Sequence, residues 1–342
     1  MVIWELFGDN NNFDVWNSLL LKSEDYNIFQ SHGWGEYKSI YGWLPMRYLA
    51  KDKDGTIVAM AQIFIKHLSV VGIKIGWVPG GPIFCFPQSK KIELAKIAKA
   101  LIEKVEKLSG NVFIRFNNLL LNNSDLANAF NRYYIKPFFK INSGYSIWVD
   151  LREPIDILNE KMTSHHRYYV RKGLANDIQW KAGNNVHFVN ELLTIHTDMV
   201  MWKKMKSLKS NLNDISNLCR TLGDNATIFT GYLNGNAISS CLVLTFGQKA
   251  FYLMAAAGSK ARKINASYAM VFNLFKYLKE KGITCFDFGG INPSSNVAEG
   301  VNYFKKGFGG KIIEYLGEWE WATSDWMRLG GNFAVWYRGR QL

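Results

Sequence analysis

The chain has 342 residues, long for one core and enough for two, since single hydrophobic cores stop growing at roughly 250–300 residues. It is 48% hydrophobic, 15% aromatic and 20% charged, which excludes disorder, collagen and low-complexity arrays. Lys and Arg number 41 against 28 Asp and Glu, and the formal charge of +13 favours polyanionic partners: nucleic acid, anionic lipid headgroups or phosphorylated substrates.

The N-terminus, Met1 to Asn10, has no basic segment leading into an apolar one, so no signal peptide is expected. No stretch approaches the roughly 18 unbroken apolar residues of a spanning helix. A cytoplasmic protein is expected. The cysteines Cys85, Cys219, Cys241 and Cys285 lack CxxC spacing, and Cys85, Cys241 and Cys285 sit in apolar strands as small core residues. The histidines form no HExxH, and adjacent His165-His166 is a poor spacing for two ligands on one helix face. No metal site is expected.

The predicted elements begin with Arg47–Ala50, an Asp54-Gly55 turn and a strand over Thr56–Ile65. A third apolar run is Ile73–Val78. An amphipathic helix over Lys90–Leu108 keeps three-to-four spacing through Leu94, Ile97, Ala98, Leu101, Val105 and Leu108. Gly110 caps it, and the strand Val112–Phe116 follows.

The same order recurs downstream. Thr227–Leu233 turns at Asn234-Gly235-Asn236 into Ala237–Thr245, and Ala250–Met254 is the next strand. A helix over Ala266–Glu280 presents Met270, Leu274, Tyr277 and Leu278 on one face. Gly282 caps it before Ile283–Phe288. Hairpin, strand, helix, strand occurring twice predicts two related α/β (α+β) domains. The boundary falls near Asp150–Pro154, after the strand Tyr145–Asp150. The order is that of the GNAT-like acyltransferase fold, among other α/β possibilities.

Four segments carry a more specific likeness. They are Phe29-Gln-Ser-His-Gly-Trp34-Gly-Glu-Tyr-Lys38 with Gly42-Trp43-Leu-Pro45; Trp77-Val-Pro-Gly-Gly-Pro-Ile83; Arg167-Tyr-Tyr-Val-Arg171-Lys172; and Phe286-Asp287-Phe-Gly-Gly-Ile291 followed by Tyr303-Phe304-Lys305-Lys306-Gly307-Phe308-Gly309-Gly310. In this order they resemble the Fem-type aminoacyltransferases (FemABX) over nearly the whole chain. The resemblance implies two tandem GNAT-like domains, 1–150 and 151–316, with the segment about 317–342 packing back on the first. No long charged heptad run is present, so the form without a coiled-coil insertion is expected.

Members of that family move an amino acid from aminoacyl-tRNA to an amine of a peptidoglycan precursor. The implied chemistry is aminolysis of an ester, in which positioning and oxyanion stabilisation need no nucleophilic side chain. The resemblance implies a donor site in the second domain at Phe304, Lys305 and Lys306, with Phe304 stacking on the terminal adenine and Lys305 neutralising charge. Arg167 and Arg171, four apart on one helical face, are candidate phosphate or RNA anchors beside Lys172, or else a solvated basic face. On the acceptor side the resemblance implies Lys38, with Trp34, and Tyr252. Asp287 reads as a base or as a loop cap. Lys203, Lys204, Lys206 and Lys209 read as solvated.

Two family features are missing: Asn117-Asn118 stands where an acidic residue and proline are usual, and Met199–Trp202 contains no arginine. The acceptor can therefore differ from the standard precursor. Arg262–Ser267 lacks the glycines of a coenzyme A pyrophosphate loop, which argues against acetyl-CoA as donor. The expectation is a transferase with aminoacyl-tRNA as co-substrate and no other cofactor, peripheral at the inner membrane face if the acceptor is lipid-linked. The alternatives are an acyl-CoA-dependent N-acyltransferase acting on an amino sugar, and a non-catalytic RNA- or membrane-surface-binding protein.

Overall fold

The computed structural model describes residues 2–8, 13–68, 72–85, 91–106, 110–203, 211–293 and 298–339. Lys90, Leu108, Lys204, Lys206 and Lys209, named above, lie outside the described residues. The chain divides into two compact units, Met1–Gly144 with Glu314–Leu342, and Tyr145–Ile313.

The first unit contains β1 (Ile3–Leu6), α1 (Phe13–Leu20), α2 (His32–Ser39), β2 (Leu44–Lys51), β3 (Ile57–Leu68), β4 (Ile73–Pro79), β5 (Ile83–Phe84), α3 (Lys91–Glu106), β6 (Asn111–Leu121) and α4 (Ser124–Phe130). The second contains β7 (Tyr145–Asp150), α5 (Ile155–Lys161), α6 (Ser164–Leu174), β8 (Gln179–Gly183), α7 (Val186–Trp202), α8 (Leu212–Leu222), β9 (Ala226–Leu233), β10 (Asn236–Phe246), β11 (Lys249–Ala257), α9 (Ser259–Lys263), α10 (Ala266–Glu280), β12 (Cys285–Asp287) and α11 (Glu299–Lys306). The chain re-enters the first unit along β13 (Lys311–Ala322) and ends in α12 (Asp325–Gly339).

Turn chemistry sets both hairpins. Gly55 at φ +80° turns β2 into β3's partner position, and Asn234 at φ +51° with Gly235 at φ +77° joins β9 to β10. Helix α10 spans Ala266–Glu280 and buries Met270, Val271, Leu274, Phe275 and Leu278 against the second unit's sheet core of Phe286, Phe288 and Phe308. The first unit's core gathers Phe116, Phe130, Tyr134 and Trp319 with the aliphatic residues of β2, β3 and α3.

The expected boundary near Asp150 needs correction. Strand β7 pairs antiparallel with β12, Cys285 opposite Asp150 and Asp287 opposite Trp148, so Tyr145–Asp150 belongs to the second unit. The first unit's last strand comes instead from β13, antiparallel to β6 from Tyr315↔Leu121 to Ala322↔Phe113.

Among the described residues each unit contains one parallel pair, and the two differ. In the first, β4 runs beside β6 for seven residue pairs, Ile73↔Asn111 to Pro79↔Asn117. Gly80 N–H then donates to the Asn117 carbonyl at 2.7 Å, closing the pair to its end. In the second, β11 and β12 pair at only three positions, Lys249↔Cys285 to Phe251↔Asp287. Strand β11 continues to Ala257 while β12 stops at Asp287, so the parallel ladder ends at Phe251. Among the described residues, the shorter parallel ladder lies in the second unit.

Candidate active site

The loop after β12 is built from Asp287. Its carboxylate accepts from the Ser146 hydroxyl, from Trp148 Nε1–H at 3.0 Å and from Gly289 N–H at 2.7 Å. The observed role is the loop cap. Gly289 takes φ +70°, and a Cβ there would stand 3.0 Å from the Tyr252 carbonyl, so a side chain is excluded where the parallel ladder ends.

Lys305 returns to this loop from α11. Its Nζ donates to the Gly290 carbonyl at 2.8 Å and lies 3.5 Å from that of Gly289. Burial pulls its pKa down to about 8, and the Asp287 carboxylate pulls it partly back up. An ammonium with three donors, one of them committed, can still offer hydrogen bonds and charge to a bound oxyanion.

Phe304 is partly buried. It packs edge-on against Tyr268 and Phe308, ring centroids 5.1 and 5.2 Å away, and its role here is within an aromatic cluster of the core's rim. Lys306 is exposed at the end of α11.

His166, on α6, anchors α11. The ring is 0% exposed. Its Nδ1 lies 2.9 Å from Thr163 Oγ1 and its Nε2 lies 3.0 Å from the Phe304 carbonyl, an acceptor that requires the proton on Nε2. Thr163 Oγ1 also caps α6 by accepting from His166 N–H. Gly307 completes the joint, since a Cβ there would stand 1.9 Å from His166 Cε1. Sequence reading discounted His166 because it tested only metal-ligand spacing. The available signal was a Thr-x-x-His start to an aromatic-rich basic helix.

Arg167, Arg171 and Lys172 are exposed on α6. Arg167 Nη1 donates to the carbonyls of Glu160 and Met162, closing the C-terminal end of α5. Arg171 and Lys172 each lie 5.6 Å from the Tyr168 ring. Tyr252 is buried at 8% exposure, and its hydroxyl has no hydrogen-bond partner among the described residues. The cysteines are buried or half-buried, and burial raises the thiol pKa of Cys85, Cys219 and Cys285 to about 11 and that of Cys241 further.

In the first unit, Lys38 Nζ sits among the rings of Tyr37, Trp34 and Trp77 at 4.7, 4.9 and 5.4 Å. Trp34 is buried, with its indole N–H unpartnered among the described residues. The two motifs flanking this lysine interlock through Gln30. Its side chain donates to the Pro79 and Gln62 carbonyls at 2.7 and 3.1 Å, and its Oε1 accepts from Gln62 N–H at 2.7 Å. Asn27 donates to the Gly80 carbonyl at 2.9 Å, and a Cβ on Gly80 or Gly81 would collide with Asn27 or Gln30. Asn118 is fully buried, accepting from Leu120 N–H at 2.8 Å and donating to Gly81 at 3.3 Å. It therefore ties β6 to the Gly81 segment.

Residues 174–327 match the FemAB family model. The chain is 22% identical over 374 residues to the lipid II:glycine glycyltransferase of Staphylococcus aureus (strain MRSA252), covering 87% of this chain and 89% of that protein. Over residues 174–327 the chain is therefore similar to the FemAB family. It is an enzyme, an acyltransferase. The crystal structure of FemX superposes with a TM-score of 0.77 at 15% identity, covering 92% of this chain and 96% of that one. A tandem GNAT protein from the clavulanic acid biosynthesis pathway gives 0.55 at 9% identity, covering 95% and 99%. These structural likenesses establish the tandem GNAT-like fold of the chain.

Proposed function

We propose that this chain moves an amino acid from aminoacyl-tRNA to an amine of a peptidoglycan precursor. The observation that carries the reading is the desolvated Lys305 ammonium held on Gly290 where the β11–β12 ladder ends. The ester carbonyl lies there, the acceptor amine attacks it, and Lys305 stabilises the oxyanion and then the departing ribose oxygen. Much of the rate comes from positioning, which in well-oriented reactions contributes about 7–11 kcal/mol. One oxyanion donor contributes roughly 3–4 kcal/mol.

Phe304, Lys305 and Lys306 form the donor side, with Arg171 and Lys172 as exposed cations for the RNA phosphates. Arg167 has a smaller share, because its guanidinium is already held by α5. Lys38 and Trp34 serve the acceptor, whose phosphate or sugar meets an ammonium oriented by three rings. Tyr252 shapes the end of the ladder through its backbone rather than through its buried hydroxyl. Among the described residues no helix is long and apolar enough to cross a membrane, so a lipid-linked acceptor is reached from the surface.

A thioester donor is the weaker reading. The turn that would hold its pyrophosphate is occupied: Arg262 donates to the Ala257 carbonyl at 2.8 Å and stacks on Trp202 at 3.8 Å. Incubation with labelled aminoacyl-tRNA or acyl-CoA pools separates the two. Label passing to the acceptor from tRNA supports the proposal, and label passing only from coenzyme A refutes it.

A further inference from the structure

Helix α12 exposes an apolar stripe. Its outward positions are Trp326, Leu329, Gly330, Phe333, Ala334 and Tyr337, all exposed and none charged. Their spacing of 3, 1, 3, 1 and 3 residues draws one continuous stripe along the helix. Trp326 is 83% exposed and Phe333 62%. The inward side sets Arg328 and buried Asn332 among half-buried Met327, Gly331, Val335 and Trp336.

That inward face fixes the rotation of the helix. Arg328 Nε donates to Glu320 Oε1 at 2.6 Å, and Asn332 Nδ2 donates to both Glu320 oxygens at 2.8 Å. Glu320 is fully buried and also accepts from buried Arg115 at 3.0 Å. Turning the stripe inward would strand these charges, which is far costlier than exposing the apolar side chains. Gly331 holds the helix close to β6, since a Cβ there would stand 2.6 Å from the Phe113 ring. The stripe is therefore held outward by design of the core.

A loop of the same unit enlarges the patch. Phe138, Phe139 and Ile141 are exposed. The loop is tied to α12 by Phe138 N–H donating to Asn332 Oδ1 at 3.1 Å, by Arg328 lying 4.1 Å from the Phe138 ring, and by Phe139 packing 6.4 Å from Trp336. The exposed charge beside it is mainly positive. Residues 131–142 contain exposed Arg132, Lys136 and Lys140 with no acid, while Asp325 opens α12 and Arg328 is paired with Glu320.

We propose that α12 and the loop at Phe138–Ile141 form a membrane-surface docking face for bilayers rich in anionic phospholipid. Trp, Tyr, Phe and Leu on a helix lying in the plane insert to the acyl boundary, while the flanking cations meet the headgroups. Positive charge around the stripe favours this occupant over a second copy of the chain, whose identical cations would repel. The proposal deepens the surface approach suggested above, yet its observations come from the first unit alone. Vesicle binding is read without any transfer reaction, so it can fail while the transfer reading stands.

The test is co-sedimentation of the full chain with vesicles of phosphatidylcholine containing about a quarter phosphatidylglycerol, compared with phosphatidylcholine alone. The chain is expected to sediment with the anionic vesicles and less with the neutral ones. The Leu329→Glu/Phe333→Glu double variant is expected to lower the partition coefficient by about tenfold or more. Both positions are exposed, so its melting temperature and its turnover of a water-soluble acceptor should match those of the parent. Equal partition of parent and variant, failure of the parent to bind, or equal binding to neutral vesicles would overturn the proposal. So would a parent dimer in analytical ultracentrifugation that the double variant dissolves.

Discussion

His166 Nε2–H donates to the carbonyl of Phe304 at 3.0 Å, so a buried imidazole on α6 sets the position of the helix that ends in Lys305. Burial lowers the His166 pKa below its ordinary value, the Phe304 carbonyl pulls it back up in part, and the neighbouring His165 lowers it again. The neutral ring is the one that fits between Thr163 and Phe304. His166→Ala leaves a cavity and an unpaired carbonyl and should lower stability by roughly 2–4 kcal/mol, read by denaturant unfolding.

A pH dependence follows from the same group. The unfolded histidine takes a proton near pH 6.5, and the folded one only at lower pH. The unfolded state therefore binds more protons in that window, and stability is lost as pH falls from about 6.5 through the folded pKa. Unfolding titrations of the parent and His166→Gln should show a steeper acid loss in the parent. His32 and His196, also lowered by burial, titrate in both proteins and cancel in the difference.

Gly307→Ala tests the joint sterically. The position has φ −69°, so backbone strain plays no part, and the new methyl would first meet the His166 ring. Overpacking of this kind costs about 1–3 kcal/mol. Pairing Gly307→Ala with His166→Ala should recover part of the loss, giving a coupling energy in a double-mutant cycle.

Asp287→Asn should impair both the loop and its lysine. Ser146, Trp148 and Gly289 all act as donors to the carboxylate, so an amide turned towards any of them with its NH2 loses that bond. One mismatched buried donor costs about 1–3 kcal/mol. Loss of the negative charge also removes the interaction that raises the Lys305 pKa, so the lysine should deprotonate at lower pH than in the parent. If the cation is the working form, kcat falls as pH rises through about 8 in the parent, and the fall begins earlier in Asp287→Asn.

Much of the architecture is visible in local patterns. The helix Ala266–Glu280 has the predicted bounds because apolar spacing and the cap at Gly282 act locally. The Asp-Gly and Asn-Gly turns announce both hairpins for the same reason. Strand β13 was hidden, because its partner β6 lies about two hundred residues earlier and pairing at that distance leaves no periodic trace. The buried Arg115–Glu320–Asn332 cluster was equally hidden. A charged strand and an aromatic helix look solvated and buried respectively, and tertiary pairing reverses both. At the site, motif likeness pointed to Phe304-Lys305, but the contribution of His166 depends on a contact across 138 residues.

The most direct test of the central claim is mass spectrometry of a peptidoglycan precursor after incubation with the full chain and aminoacyl-tRNA. The account predicts a product heavier by one or more aminoacyl residues, formed by the parent and reduced about 10²–10³-fold in kcat by Lys305→Met. It also predicts a circular dichroism spectrum of Lys305→Met matching the parent. An unmodified precursor with aminoacyl-tRNA, together with acylation from acyl-CoA, would contradict the account, as would full turnover by Lys305→Met.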